Sequence, residues 1–336
     1  MTYLPQIRIL VPSAQVSSYT TGSFNLPSAR GAFVVDARAL WIGGNTSHTK
    51  QTTIDYININ STGNAVDFGD LTTASNCDNS SAASSTRSVF SRDTDNEIEY
   101  LTFATLGNST DFGDFSASQR RNATAGLSDS TRGIWAGGLH PITEARFNVI
   151  DYITIATTGN LVDFGDMVLA RYGTTGAAST TRGVWAGGNF NATGAGVVTD
   201  IDYVTIQSTG NATDFGDLTV ARDAMGGGSN NTRAIFSGGN LASTAITNTI
   251  DYITIASTGN AIDFGDFSSN RRNQSGAAGT TRLVITGGLT TQGGTYTHSI
   301  TMEYLTIATT GNSTTFGDLS QSRWALAGSS SSHGGL

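Results

Sequence analysis

Cysteine is nearly absent: Cys77 stands alone, so neither an intrachain disulfide nor a thiolate metal cluster can form. Four prolines stand against 41 glycines, and without a strict Gly-X-Y period this excludes collagen and points to many tight turns. Lysine occurs once, as Lys50, and the other cations are arginines, whose fixed fork suits paired structural contacts. Charged residues are 13% of the chain, too few for disorder driven by repulsion. The formal net charge of −8 speaks against a nucleic-acid partner. No apolar run reaches membrane-spanning length, and Met1 to Leu10 shows no secretion signal. No amphipathic stretch of a dozen residues survives without Gly or a Ser/Thr/Asn cluster, so the chain reads as all-β, without membrane insertion. Its Thr/Asn/Gly-rich, lysine-poor character suits a place outside cells.

What is present is repetition. An Asp-Phe-Gly-Asp word recurs around Phe68, Phe112, Phe164, Phe215, Phe264 and Phe316, the last with Thr in the first place. An acid–tyrosine pair precedes each: Asp55-Tyr56, Glu99-Tyr100, Asp151-Tyr152, Asp202-Tyr203, Asp251-Tyr252 and Glu303-Tyr304. A double glycine closes an apolar strand at Gly43-Gly44, Gly137-Gly138, Gly187-Gly188, Gly238-Gly239 and Gly287-Gly288. The second copy carries Ser91-Arg92 instead, and its loop is expected to be cut back.

Residues 171 to 217 read as four short strands: Thr175 to Ser179, Gly183 to Ala186, Ile201 to Ile206, and Thr213 to Phe215, after a Ser208-Thr209-Gly210-Asn211 turn. Four strands per unit, repeated round a ring, make a β-propeller blade. The first strands are small, as in Ala82-Ala83-Ser84, Gly226-Gly227-Gly228 and Gly276-Ala277-Ala278, as the crowded axis of a propeller requires. Ring closure also removes exposed sheet edges.

The order apolar strand, Gly-Gly, variable loop, Tyr, Thr-Gly-Asn, aromatic, Arg resembles the kelch repeat over roughly residues 25 to 323. The Arg is Arg171, Arg222, Arg271 or Arg272, and Arg323, and Phe stands where kelch repeats usually carry Trp. The wording from Asp251 to Asp266 also resembles repeats in virion structural proteins of marine bacteriophages, especially those of cyanobacteria. These resemblances imply a kelch-like propeller of four-stranded blades and a virion setting.

Six repeats occupy residues 25–319. Segments 1–24 and 320–336 together approach one further blade, so seven blades are expected, the closing one shared by the two termini. Its inner strand would come from 320–336, its second strand from Ile7 to Val11, and Gly22 to Leu26 with Arg30 would match the end of a unit. Six blades with free tails is the alternative.

No catalytic cluster emerges. The Asp-Phe-Gly-Asp acids are read as turn-orienting groups rather than calcium ligands. A second arginine series, Arg38, Arg87, Arg132, Arg182, Arg233 and Arg282, precedes each second strand, and is read as a ring of ion pairs with the acid beside Tyr rather than an anion site. His48, His140 and His298 fall in different units, which precludes one zinc sphere. No metal or cofactor is expected. The variable loops after the double glycines gather on one face, where binding normally sits. The candidate residues are Trp41, His48, Lys50, His140, Arg146, Phe147, Phe190, Asn191, Tyr296 and His298.

The leading expectation is a non-enzymatic phage virion protein, a tail, fibre or surface-decoration component that binds other virion proteins or a host surface glycan. A virion context alone would imply trimeric or hexameric assembly. A secreted bacterial adhesin or lectin-like propeller, extracellular or on the cell surface, is one alternative. A carbohydrate-active enzyme with two facing carboxylates is the other.

Overall fold

Short alternating segments cut by Gly and Ser/Thr/Asn turns favour antiparallel strands throughout. The computed structural model describes residues 37–336 apart from 94, 116–120, 192–195, 243–244 and 293–294, and apart from the side chains of 291–296. Its main strands form six four-stranded antiparallel sheets. From the axis outward, blade 2 is Ser81–Ala83, Arg87–Ser91, Glu97–Thr102 and Thr110–Asp114. Blade 3 is Ala125–Ser128, Arg132–Ala136, Val149–Thr154 and Val162–Asp166. Blade 4 is Thr175–Ala178, Arg182–Ala186, Asp200–Thr205 and Thr213–Asp217. Blade 5 is Gly226–Ser229, Arg233–Ser237, Thr249–Thr254 and Ile262–Asp266. Blade 6 is Ser275–Ala278, Arg282–Thr286, Thr301–Thr306 and Thr314–Asp318.

Blade 1 is the composite one. Arg38–Ile42, Thr53–Asn58 and Val66–Asp70 take Ala327–Ser330 as their inner strand, with Ala39 opposite Ser330 and Ile42 opposite Ala327. That strand also packs against the inner strands of blades 2 and 6, so six inner strands complete the ring. The expected seven blades are corrected to six among the described residues. Among the described residues the inner strand of blade 1 is the C-terminal one, which completes the first repeat instead of founding another blade. Ile7 to Val11, Gly22 to Leu26 and Arg30 lie outside the described residues.

The core is divided among the seams, one apolar cluster between each pair of neighbouring blades. Between blades 4 and 5, for example, Ala177, Val184, Ile201 and Phe215 pack against Ala234, Phe236, Ile253 and Ile255. Each large apolar side chain so buried contributes about 1.5–3 kcal/mol. Within every blade the tyrosine of the third strand meets the phenylalanine of the outer strand edge-on, at 5.8 to 6.1 Å between ring centroids.

The repeated words are seam joints. The N–H of Gly159 donates to the Phe112 carbonyl at 2.8 Å, and the N–H of Asp114 donates to Asn160 Oδ1 at 3.1 Å. The same pair of bonds recurs at all six seams. The Gly-Asn turn of one blade thus closes over the Phe-Gly-Asp edge of the blade before it. A Cβ on Gly113 would run into the Gly159 backbone, which restricts that half of the joint to glycine, whereas Gly159 itself faces open space.

The small inner strands have a sharper cause than a narrow axis. A Cβ on Gly176 would stand 2.6 Å from the Gly126 carbonyl oxygen, and one on Gly126, Gly276 or Gly328 would overlap the backbone of Ser81, Gly227 or Gly276 respectively. Neighbouring inner strands touch backbone to backbone.

Candidate functional site

The buried charges are structural nodes. Just before five inner strands stand Arg121, Arg171, Arg222, Arg271 and Arg323, each buried and each paired with the acid beside Tyr in its own blade: Asp151, Asp202, Asp251, Glu303 and Asp55. Blade 2 has Asn76 at this place, and Arg92 reaches Glu99 from the double-glycine position at 2.8 Å. The register aligns Ser91 with Ala136, so Arg92-Asp93 stands where the other blades carry the double glycine, and this departure relocates the node's cation. A second compensation concerns chain length. Glu99 and Glu303 accept the hydroxyls of Ser109 and Ser313, whereas blades with the shorter Asp have Ala65, Leu161, Ala212 or Ala261 there. Burial raises the carboxyls of Asp151 and Asp202 above the usual range, opposed by Arg121 and Arg171. Burial opposes ionisation of Glu303 too, but Arg271 and the Ser313 and Ser268 hydroxyls hold it below that range.

This pairing corrects the expected role of the second arginine series. Arg38, Arg87, Arg132, Arg182, Arg233 and Arg282 lie over the tyrosine rings of their own blades, 4.3 to 5.3 Å from the centroids. Each donates Nη1 to a carbonyl of the next blade, as Arg182 does to Ile255 at 2.8 Å. The acids belong to the other series.

The loops between second and third strands leave the ring at one end, the mouth. Its floor is a circle of residues with left-handed backbone: Asp78, Ala123, Gly173, Ala224, Asn273 and Ala325. Bonds from Gly173 N to Ala123 O, Ala224 N to Gly173 O, Asn273 N to Ala224 O, Ala325 N to Asn273 O and Asp78 N to Ala325 O link them at 2.8 to 3.1 Å. The residue before each floor residue differs in every blade: Cys77, Asn122, Tyr172, Asp223, Arg272 and Trp324. Five of them bridge to the double-glycine loops, as Tyr172 does to Asn189 and Trp324 to Asn45.

Around this hub the polar groups are held in place. Asp223 accepts Asn240 Nδ2 at 2.7 Å and Asn189 Nδ2 at 3.2 Å, while burial raises its carboxyl above the usual range. Arg146 lies over the Tyr172 ring at 5.4 Å. Asn45, itself buried, has an Oδ1 that no described residue hydrogen-bonds, beside Trp324. Asp78 is pushed up to about 7, chiefly by burial and then by Asp93, against the pull of Lys50.

The candidate loop residues divide. Trp41 is fully buried in the second strand of blade 1, its indole N–H directed at the Ser275 carbonyl at 3.4 Å, and belongs to the core. Lys50 is tied to Asp93 at 2.8 Å. His48 is exposed at a hairpin tip, and Phe190 is exposed beside Asn191, whose N–H donates to Asn189 Oδ1. His140 packs against Phe147, and its Nδ1 accepts the N–H groups of Ile142 and Thr143. His298 ends a hairpin strand, Thr295–His298, and the Tyr296 side chain lies outside the described residues. The structure brings Arg146 and Phe147 to the hub next to Tyr172 and Arg121, and leaves His48 and His298 on separate loops. The hub residues escaped the sequence reading. Their signal is positional: the residue after the repeat arginine is unlike in every copy, within a framework that barely changes.

Below the floor runs a cavity of about 70 Å³, lined by Gly, Ala and Ser of the inner strands and by Asn79, Leu127, Thr175 and His333. Residues 331–336 fold into its far end. His333 contacts the Ala83 carbonyl at 2.9 Å, and burial lowers its imidazole below the ordinary value. Cys77 is buried, and burial pushes its thiol up, which suppresses the reactive thiolate. No protein-family model matches the chain, and no curated protein matches it.

Proposed function

We propose that the protein is a non-enzymatic binding module, a rigid ring whose mouth engages a glycan or protein surface. Its setting in this proposal is a bacteriophage particle, as a tail, fibre or surface-decoration component. The observation that carries the binding reading is the hub. Six equivalent positions hold Cys77, Asn122, Tyr172, Asp223, Arg272 and Trp324, although the blades around them are alike. A place needed only for packing repeats its residue, as the node arginines and seam glycines do. Two aromatic residues among amide, guanidinium and carboxylate groups suit a sugar, whose faces stack and whose hydroxyls take and give hydrogen bonds. The small, mostly uncharged lining of the channel supports binding rather than hydrolysis, which would require facing carboxylates. The virion setting and the kelch likeness rest on the repeat wording alone.

The test is binding of the purified chain to an array of bacterial surface polysaccharides, with Tyr172→Ala and Trp324→Ala as variants. Saturable binding that weakens at least tenfold in both variants, with unchanged melting temperature, supports the reading. Binding indifferent to both would refute the assignment to the mouth.

A further inference from the structure

The end of the ring opposite the mouth has a chemistry of its own. It is formed by the turns between inner and second strands and between third and outer strands. Its cations are the second arginine series, one per blade. The sequence suggested that matched acids neutralise these arginines, but those carboxylates are committed to the node arginines. Among the described residues, no ion pair involves Arg87, Arg132, Arg182, Arg233 or Arg282. Each spends Nη1 on a carbonyl of the next blade and lays its plane over a tyrosine. Those two contacts fix the guanidinium, and among the described residues neither Nε nor Nη2 finds a hydrogen-bond acceptor. All five side chains are only half-buried, and an exposed threonine precedes each in Thr86, Thr131, Thr181, Thr232 and Thr281. The one acidic side chain among the described turns at this end, Asp129, is turned inward to the Thr131 and Arg132 amides and to Gln207.

We propose that this base ring is a second binding site, for a compact polyanionic sugar such as a sulfated oligosaccharide. Planar guanidiniums with two free N–H groups on one edge suit sulfate, which accepts two parallel bonds. The tyrosine behind each and the carbonyl beside it lower the entropy lost when the anion is bound. Size is limited by the perimeter, where Asp67, Asp111, Asp163, Asp214 and Asp263 are exposed on the outer strands. A long rod such as duplex DNA would meet that acidic rim, while a small multivalent anion stays within the arginine circle. The site is independent of the reading of the mouth.

The test is titration calorimetry of the full chain with sucrose octasulfate, together with phenylglyoxal footprinting read by mass spectrometry. Saturable binding at 25 mM salt is expected to weaken at least tenfold at 250 mM. Sucrose octasulfate is expected to protect Arg87, Arg132, Arg182, Arg233 and Arg282 from modification. Footprinting needs no substitution, so it remains valid even where Arg182→Gln destabilises the fold. Absence of saturable binding, protection confined to Arg146 or Arg272, or a preference for a 20-mer DNA duplex would each overturn the proposal.

Discussion

The buried node of blade 5 offers the most demanding test of how this ring is held. Arg222 and Asp251 are both fully buried, 2.7 Å apart. Arg222 also donates to the Thr249 carbonyl at 3.0 Å, and Asp251 accepts the Thr219 hydroxyl at 2.7 Å. Burial draws the guanidinium's pKa below its ordinary value, with Asp251 opposing. Substituting one member strands the other's charge away from water, a loss of about 3–5 kcal/mol. Arg222→Met and Asp251→Val should each lower the melting temperature by about 6–10 °C, at roughly 2 °C per kcal/mol for a chain of this size. The double variant removes both charges and leaves apolar groups at the seam, so it should lose no more than about 2 kcal/mol. The implied coupling is at least about 4 kcal/mol, well above the error of a thermodynamic cycle. Calorimetric scans and urea melts of the four proteins measure it. A double variant as unstable as the sum of the singles would refute the reasoning, because the node would then act through its separate hydrogen bonds.

Gly328→Ala should cost about 1–3 kcal/mol or more in a urea melt, since the new methyl overlaps the Gly276 backbone. Asp78 makes stability fall as pH rises. Its folded-state pKa of about 7 exceeds the unfolded one, so its contribution is complete below about pH 4 and is lost as pH climbs through about 7. Thermal scans at pH 5 and pH 8 should differ by on the order of 1–2 kcal/mol more in the parent than in Asp78→Asn, the effect being reduced by partial exposure. Deleting residues 331–336 removes the bonds from Ser331 N to Arg38 O and from Gly334 N to Ser229 O, and the His333 contact with Ala83. At about 1 kcal/mol each, the melting temperature should drop by roughly 6 °C, and an unchanged value would show that the segment bears no load.

The strand pattern was legible because short β-branched, aromatic and small-residue runs are cut at regular intervals by Gly and Ser/Thr/Asn turns. The four segments read for residues 171–217 match Thr175–Ala178, Arg182–Ala186, Asp200–Thr205 and Thr213–Asp217 within about two residues. The partner of the second arginine series was readable by the same parity and was misassigned. Asp151 stands opposite Trp135, three places from Arg132 and so on the other face of the sheet, whereas Tyr152 stands opposite Ile134 on Arg132's own face. The blade count was obscured for a different reason. Ala327–Ser330 is too short and too plain in composition to announce which strand it joins, and pairing across nearly the whole chain leaves no local trace. The hub was hidden because diversity at one position carries no motif. Aligning the copies on the repeat arginine exposes that diversity, and the ring shows that those positions converge on one floor.

The backbone contact between inner strands has a consequence for how many repeats such a chain can hold. Gly126, Gly176, Gly276 and Gly328 allow separations that no side chain tolerates. A ring with one more repeat would open at its centre, pull those carbonyls apart and leave a void that glycine cannot fill. A ring with one fewer would drive the strands through one another. Copy number in this chain is thus quantised by its smallest residue, and a duplication that adds a repeat must also rewrite the axis before the new ring can close.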